Sequence, residues 1–124
     1  MKSFKSLRRA FTLVEIMIVV LIIGILLAIA IPNFIRARES SRAKACVSNL
    51  RQVDSAKEQW AMDYRMAAGS ALTDMTYLAG TGTNTYIKAT PVCPSSGTYT
   101  INSIGTDPVC SVGGTDPALK HALN

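Results

Sequence analysis

The stretch RRAFTLVEIMIVVLIIGILLAIAIP, residues 8–32, decides the fold of this chain. Residues 16–31 are all apolar or glycine, and extending the run back to Phe11 gives 21 residues with a single formal charge, on Glu15. A helix that spans a bilayer needs about 20 mostly apolar residues. The stretch therefore predicts a membrane-spanning helix over residues 11–31, which leaves only part of the 124-residue chain for a globular core.

Basic residues are concentrated in a short leader, residues 1–10. Lys2, Lys5, Arg8 and Arg9 precede the apolar stretch. The formal net charge of the whole chain is +5, but the rest of the chain has nine basic and eight acidic residues and is therefore nearly neutral. By the positive-inside rule, such a leader holds the N-terminus of a single-span protein on the cytoplasmic side. The charge therefore predicts orientation in a membrane and gives no indication of a nucleic-acid-binding surface.

A helical pattern continues after Pro32, which removes one helical hydrogen bond and favours a kink more than a stop. Six apolar or aromatic residues recur at spacings of three and four, which places them on one helix face. They are Cys46, Leu50, Val53, Ala56, Trp60 and Tyr64. Lys57 lies beside this stripe, where its aliphatic stem can cover apolar surface. Because Gly69 is a reasonable helix end, the predicted amphipathic continuation covers residues 32–68.

Residues 69–124 predict a small loop and β region. Gly97–Ile104 is rich in β-forming residues, and a Gly-Thr-Asp-Pro turn separates it from Val109–Val112, so the two segments predict a hairpin. A hairpin of this size is not stable alone and must pack on the apolar face of the helix. The predicted fold class is α+β, with a long N-terminal helix and a small C-terminal loop and β-hairpin region.

The three cysteines, Cys46, Cys93 and Cys110, allow two interpretations. If the C-terminal region is exported, an oxidising compartment favours a disulfide between Cys93 and Cys110, which is worth roughly 3 kcal/mol for a loop of this size and leaves Cys46 over. The rival is a zinc site formed by the three cysteines and His121. That site requires Cys46 to reach the tail from the helix and lacks a closely spaced cysteine pair. The sequence therefore favours the disulfide, no metal, and a solvated tail position for His121.

Patterns typical of catalysis or cofactor binding are missing from the sequence. The single histidine has no neighbouring triad pattern, and Gly-Thr-Gly at residues 80–82 is not followed by the Lys-Ser/Thr of a phosphate loop. Asp107 and Asp116 each precede a proline, which favours ordinary turns over calcium ligands. We expect a protein that is not an enzyme and holds no cofactor.

Glu15 calls for a positive partner, because an ionisable residue inside a membrane span is costly and indicates a functional site. Cutting the chain just before Phe11 would create an amine four residues from Glu15. The two groups could meet within one chain or between neighbouring chains in a fibre. In an apolar fibre core such a pair fixes the register, since any other stagger leaves a buried charge without a partner.

A basic leader, a small residue, Phe-Thr-Leu-x-Glu and a long apolar helix together resemble the class III signal of type IV prepilins and type II secretion pseudopilins. The resemblance implies that a membrane-bound aspartic peptidase cuts between Ala10 and Phe11, and that Phe11 is then N-methylated. It implies that Glu15 pairs with a neighbouring subunit's N-terminus during assembly. Gly24 and Pro32 match the family's helix glycine and helix-kinking proline, whereas Ala10 replaces the glycine that usually precedes the cut.

What the resemblance implies for function is a structural subunit, a pilin or pseudopilin. It would wait in the bacterial cytoplasmic (inner) membrane as a single-pass protein with its N-terminus in the cytoplasm. It would then polymerise, with copies of itself or related pilins, into a type IV pilus-like or type II secretion pseudopilus fibre in the periplasm or at the cell surface. The implied partners are membrane lipid before assembly, the prepilin peptidase, and an inner-membrane assembly platform with a separate ATPase.

Two other interpretations start from the same N-terminal stretch. Arg8 and Arg9 resemble part of a twin-arginine signal, and Ala28-Ile29-Ala30 fits a signal-peptidase site that would release a secreted protein starting at Ile31. The apolar part of such a signal is normally 7–15 residues long, whereas this stretch is longer and carries an acid. A single-span anchor that is neither cleaved nor assembled is the third interpretation.

Overall fold

The computed structural model describes residues 11–72, 74–80, 85–113 and 121–123. In chain order it contains helix α1 (Leu13–Asp63), a 3-10 turn (Met75–Tyr77) and the strands β1 (Tyr99–Thr100) and β2 (Val109–Cys110). The chain divides into two compact units on either side of the Arg36–Ala37 bond. A long N-terminal helix with a small antiparallel sheet confirms the predicted α+β class.

Helix α1 is 51 residues long and passes through Pro32 without ending. Within lipid the backbone must satisfy its own hydrogen bonds, which favours a helix even for β-branched residues and tolerates an internal proline. The helix ends at Asp63, whereas the sequence pattern predicted an end at residue 68.

The earlier end of α1 has a local cause, a Schellman motif built on a residue other than glycine. Arg65 adopts a left-handed conformation with φ 53°. Its N–H donates to the carbonyl of Met62 at 3.3 Å, and the N–H of Met66 donates to the carbonyl of Ala61 at 2.9 Å. These two hydrogen bonds satisfy carbonyls that the last helical turn leaves without partners. Because arginine is uncommon as the left-handed residue that ends a helix, the sequence analysis placed the helix end at the next glycine, Gly69.

The hairpin forms where the sequence predicted it, but its strands are short. β1 pairs antiparallel with β2, and Tyr99 lies opposite Cys110. The expected strand over residues 97–104 is interrupted because Asn102 adopts a left-handed φ of 60°. Its side-chain amide donates to the carbonyl of Asp107 at 2.7 Å, which closes the turn early. Most of the backbone in this region is therefore held by contacts other than a β-ladder.

Two clusters of buried apolar side chains form the core of the second unit. The first contains Val53, Ala56, Leu72, Leu78 and Ile101, and the second contains Cys46, Leu50 and Cys93. The predicted helix stripe is thus buried from Cys46 to Ala56. Trp60 is partly buried against the first cluster, and Tyr64 is 51% exposed because the helix has already ended.

Lys57 is fully buried and joins α1 to the turn between the strands. Its Nζ lies 3.2 Å from the carboxylate of Asp54 and donates to the carbonyls of Ile101, at 3.4 Å, and Thr106. A buried ammonium needs partners of this kind, since an unpaired charge in the interior is strongly destabilising. The sequence pattern placed only the stem of Lys57 against the core; the structure also buries its charge.

Candidate functional site

The start of α1 is capped by the two residues that flank its first turn. The backbone N–H of Glu15 donates to Thr12 Oγ1 at 3.3 Å, and the backbone N–H of Thr12 donates to Glu15 Oε2 at 3.5 Å. This reciprocal pair is a capping box, which satisfies two of the free N–H groups at a helix start. Thr12 was missed by sequence reasoning, although a Ser/Thr followed three residues later by Glu is the signal that finds it.

The apolar face that follows is exposed along its whole length. An 18-residue window of α1 has a mean hydropathy of 3.2, and none of it is buried within the chain. One helix among the described residues is therefore long and apolar enough to cross a membrane. Apart from its chain neighbours and the helix's own backbone, nothing lies within 4 Å of the place where a Cβ on Gly24 would lie, so this part of the helix is free to meet lipid or another helix.

The predicted processing residues are only partly visible. Phe11 is described and is 77% exposed, whereas Ala10 and the rest of the leader lie outside the described residues. Cleavage before Phe11 and N-methylation of Phe11 therefore stay predictions. Asp116, the second of the two aspartates considered for calcium, also lies outside the described residues.

A second group of chemically capable side chains lies in the other unit. Cys46 comes from α1, Cys93 from the loop before β1, Cys110 from β2, and His121 from near the C-terminus. Their ligand atoms all lie within 4.8 Å of one another. Cys93 Sγ lies 3.6 Å from Cys110 Sγ and 3.8 Å from His121 Nδ1. All three cysteines are free thiols in this arrangement.

This cluster changes two sequence-based expectations. His121 is 6% exposed, so its predicted position as a solvated tail residue is wrong. The objection that Cys46 cannot easily reach the tail also fails, because packing of the C-terminal region on α1 brings Cys46 beside Cys93. The Cys93–Cys110 disulfide stays a prediction, since the two sulfurs are near each other but not bonded.

The cysteines differ in how readily they ionise. Burial raises the pKa of Cys46 to about 12. Burial also opposes ionisation of Cys93, but hydrogen bonds to its sulfur from the backbone N–H groups of Ser95 and Gly97 and from His121 help to outweigh it, and its pKa falls to about 6. Hydrogen bonds to the charged form favour that form. The surroundings of Cys93 therefore favour its thiolate form, whereas those of Cys46 disfavour it.

Further polar groups hold the cluster from outside. The Tyr99 hydroxyl donates to the Cys46 sulfur and accepts a hydrogen bond from Asn49 Nδ2 at 3.1 Å. The same Asn49 amide donates to the carbonyl of Val92, the residue before Cys93, at 3.0 Å. Burial, followed by the contact with Cys46, raises the pKa of Tyr99, which keeps its hydroxyl proton available for that sulfur.

Comparisons with known proteins cover both the N-terminal motif and most of the chain. The family described as the prokaryotic N-terminal methylation motif matches residues 5–31. A type IV major fimbrial protein FimA of Dichelobacter nodosus is 34% identical over 120 residues, which cover 92% of this chain and 77% of that protein. The type IV major pilin protein PilA of Myxococcus xanthus is 47% identical over 57 residues, or 46% of this chain and 26% of that pilin. The type II secretion system core protein G of Escherichia coli is 34% identical over 56 residues, or 45% of this chain and 39% of that protein.

These matches confirm the resemblance in the N-terminal motif, and the chain belongs to the family of type IV prepilins and type II secretion pseudopilins. The chain spans about a quarter of the Myxococcus pilin and 54% of another FimA of Dichelobacter nodosus. No solved structure matches it.

Proposed function

We propose that this chain is a structural subunit that is cut between Ala10 and Phe11 and polymerised into a pilus-like or pseudopilus fibre. The observation that carries the proposal is the wholly exposed apolar stretch of α1, residues 16–31, which lies shortly after the predicted cut and within the matched methylation motif, residues 5–31. Its relatives include both type IV pilins and a secretion pseudopilin. Family membership favours a structural role over an enzymatic one.

The exposed apolar stretch of α1 can lie first in membrane lipid and later against the helices of neighbouring subunits. Before assembly, α1 fits anchoring in the inner membrane, where lipid covers residues 16–31; we propose that the basic leader keeps the N-terminus in the cytoplasm. In a fibre, the same residues would pack against helices of neighbouring subunits. Exchanging lipid for helix contacts replaces one apolar environment with another, so the free-energy difference is small. We infer that a separate ATPase on an assembly platform supplies the energy for extraction.

We propose that Glu15 fixes the stagger of neighbouring subunits along the fibre. In the single chain its carboxylate meets the Thr12 N–H at 3.5 Å, a long hydrogen bond that leaves most of its acceptor capacity unused. A neighbour's methylated Phe11 amine would supply the missing cation. Because an unpaired charge in an apolar core is strongly unfavourable, only staggers that pair the two groups would be stable.

The mature N-terminus tests the processing step. Intact mass and N-terminal sequencing of the protein from its native membrane should give N-methylated Phe11. A mature N-terminus at Ile31 would show a secretory signal peptide, and an uncut Met1 would show a simple membrane anchor. Either of these two results overturns the proposal.

Substitution of Glu15 tests the assembly step separately. Glu15→Ala should leave membrane insertion and cleavage unchanged but reduce fibre yield at least tenfold, measured by shearing and quantifying fibres against the membrane pool. The matched control is Glu39→Ala, which removes an exposed carboxylate from the same helix beyond the apolar stretch. Normal fibre yield from Glu15→Ala would remove the role proposed for this residue.

A further inference from the structure

We propose that Cys46, Cys93, Cys110 and His121 form a structural Zn²⁺ site that fastens the C-terminal region to α1. The proposal concerns the second unit alone and does not depend on fibre assembly. It rests on the positions of four donor atoms that come from separate parts of the sequence.

The spacing of the donors matches tetrahedral coordination. Zinc binds thiolate sulfur at about 2.3 Å and imidazole nitrogen at about 2.0–2.1 Å, so ligand atoms at the corners of a tetrahedron lie roughly 3.5–3.8 Å apart. Cys93 Sγ lies 3.6 Å from Cys110 Sγ and 3.8 Å from His121 Nδ1. All four donors fall within 4.8 Å of one another, so closing the remaining distances needs only small side-chain movements.

The donor types and their burial select the metal and its role. Three thiolates and an imidazole form a soft, four-ligand set, which in tetrahedral geometry is typical of zinc. Cys46 and Cys93 are 0% and 3% exposed, and His121 is 6% exposed. A site in which the protein supplies all four ligands leaves no open position for a substrate, and so its role is structural.

An outer layer of hydrogen bonds orients the ligands, as is usual around bound metals. Backbone N–H groups of Ser95 and Gly97 point at Cys93 Sγ, and the Tyr99 hydroxyl donates to Cys46 Sγ. A Cβ on Gly97 would lie 2.6 Å from Cys110 Sγ and 3.2 Å from Cys93 Sγ. The absence of a side chain at Gly97 is therefore what allows the backbone to approach both sulfurs.

Zinc accounts for more of the cluster than a disulfide does. A Cys93–Cys110 bridge uses two sulfurs and gives no role to Cys46 and His121, which are buried against the same pair. Zinc uses all four groups at once and holds three non-adjacent segments to α1. The two states exclude each other, because a sulfur in a disulfide is no longer a thiolate ligand.

The test uses the full-length chain in non-ionic detergent, isolated from membranes without added reductant or chelator. Elemental analysis should find one zinc per chain, and alkylation should modify all three cysteines only after a chelator is added. A second sample, reduced and stripped of metal, is titrated with Co²⁺. Tetrahedral d–d bands and thiolate-to-cobalt charge-transfer absorption should appear at one equivalent and disappear when Zn²⁺ displaces the cobalt.

Ligand variants assign the site to these residues. Cys46→Ser and His121→Ala should each weaken zinc binding by about 100-fold or more in competition with a chromophoric chelator. Ser48→Ala is the matched control, because it changes an exposed position on α1 two residues from Cys46 and should bind zinc within a few-fold of the natural chain. The Co²⁺ titration of the natural chain keeps the test valid even where a variant does not fold.

Three results would overturn the proposal. One is a Cys93–Cys110 disulfide in zinc-free protein taken from the membrane. Another is a reduced natural chain that gives no tetrahedral cobalt spectrum. The third is a Cys46→Ser variant that binds zinc as tightly as the natural chain.

Discussion

Replacing Lys57 by methionine should loosen the attachment of the hairpin to α1. Methionine keeps an unbranched side chain in a fully buried position but removes the ammonium. The change withdraws the donor from the carbonyls of Ile101 and Thr106 and the positive partner from Asp54, which lies 3.2 Å away. The expected result is a less stable second unit with its backbone fold intact.

The size of the effect follows from the three contacts. Hydrogen bonds from a charged donor contribute about 1.5–3 kcal/mol, and a buried acceptor left without a partner costs about 1–3 kcal/mol. Asp54 is 35% exposed and can hydrate, so the ion pair itself contributes less than about 1 kcal/mol. Methionine also avoids the cost of burying a charge, which offsets part of the loss. We expect Lys57→Met to lower the free energy of unfolding by about 2 kcal/mol.

Lys57→Ala should be more damaging, because it also removes the buried aliphatic stem and leaves a cavity. The further loss is about 2 kcal/mol. Comparing the two variants therefore separates the contribution of the ammonium from that of the stem.

Both variants can be measured by urea unfolding of the full chain in detergent, followed by the fluorescence of Trp60. This is the single tryptophan of the chain, and it packs against the core cluster that contains Ile101. Lys44→Met, at an exposed position on the same helix, is the matched control and should change stability by less than about 0.5 kcal/mol. If Lys57→Met is as stable as the natural chain, the contacts of the ammonium do no more than cancel its burial cost, and the reasoning fails.

Two further predictions concern residues at the C-terminal end of α1. Asp63 accepts a hydrogen bond from the Tyr86 hydroxyl at 2.6 Å, and this contact raises the pKa of Tyr86 to about 12 from an ordinary value of 10.0. The hydrogen bond between Tyr86 and Asp63 stabilises the folded chain below pH 10, and this stabilisation is lost as the pH rises through about 12. Asp63→Asn should lower the pKa of Tyr86 in a tyrosinate absorbance titration. An unchanged titration curve would contradict the assignment. Arg65→Gly should raise the free energy of unfolding by about 1 kcal/mol, because glycine adopts the left-handed helix end without steric cost; a lower urea midpoint in the Trp60 assay would argue against this account of the helix end.

Local patterns predicted the large features of this fold. The apolar run, the three-and-four spacing after Pro32 and the turn residues before Val109 each act within a few positions, and each gave the correct element. The exact ends were harder to predict, because Arg65 and Asn102 adopt left-handed conformations that their residue types only moderately favour. The length of the helix and strands therefore depended on single backbone angles.

The candidate sites divide in the same way. Glu15 was recognisable from the sequence because its surroundings are local, and its cap partner Thr12 could have been found from the same spacing. The cysteine and histidine set was named from the sequence only as a rival to the disulfide, and its proximity could not be predicted, since Cys46 and His121 are 75 positions apart and meet only after the C-terminal region packs on the helix. Burial of the Lys57 charge depends on that same packing.

The short strands have a consequence for how this surface can evolve. Two residues in each strand set the β register at one place only, and the rest of the region is held by scattered backbone hydrogen bonds, two apolar clusters and side chains such as Lys57 and Asn49. Exposed positions between those attachments carry little of the stability. We expect insertions and substitutions at these exposed positions to leave the helix and the packing of the buried clusters undisturbed.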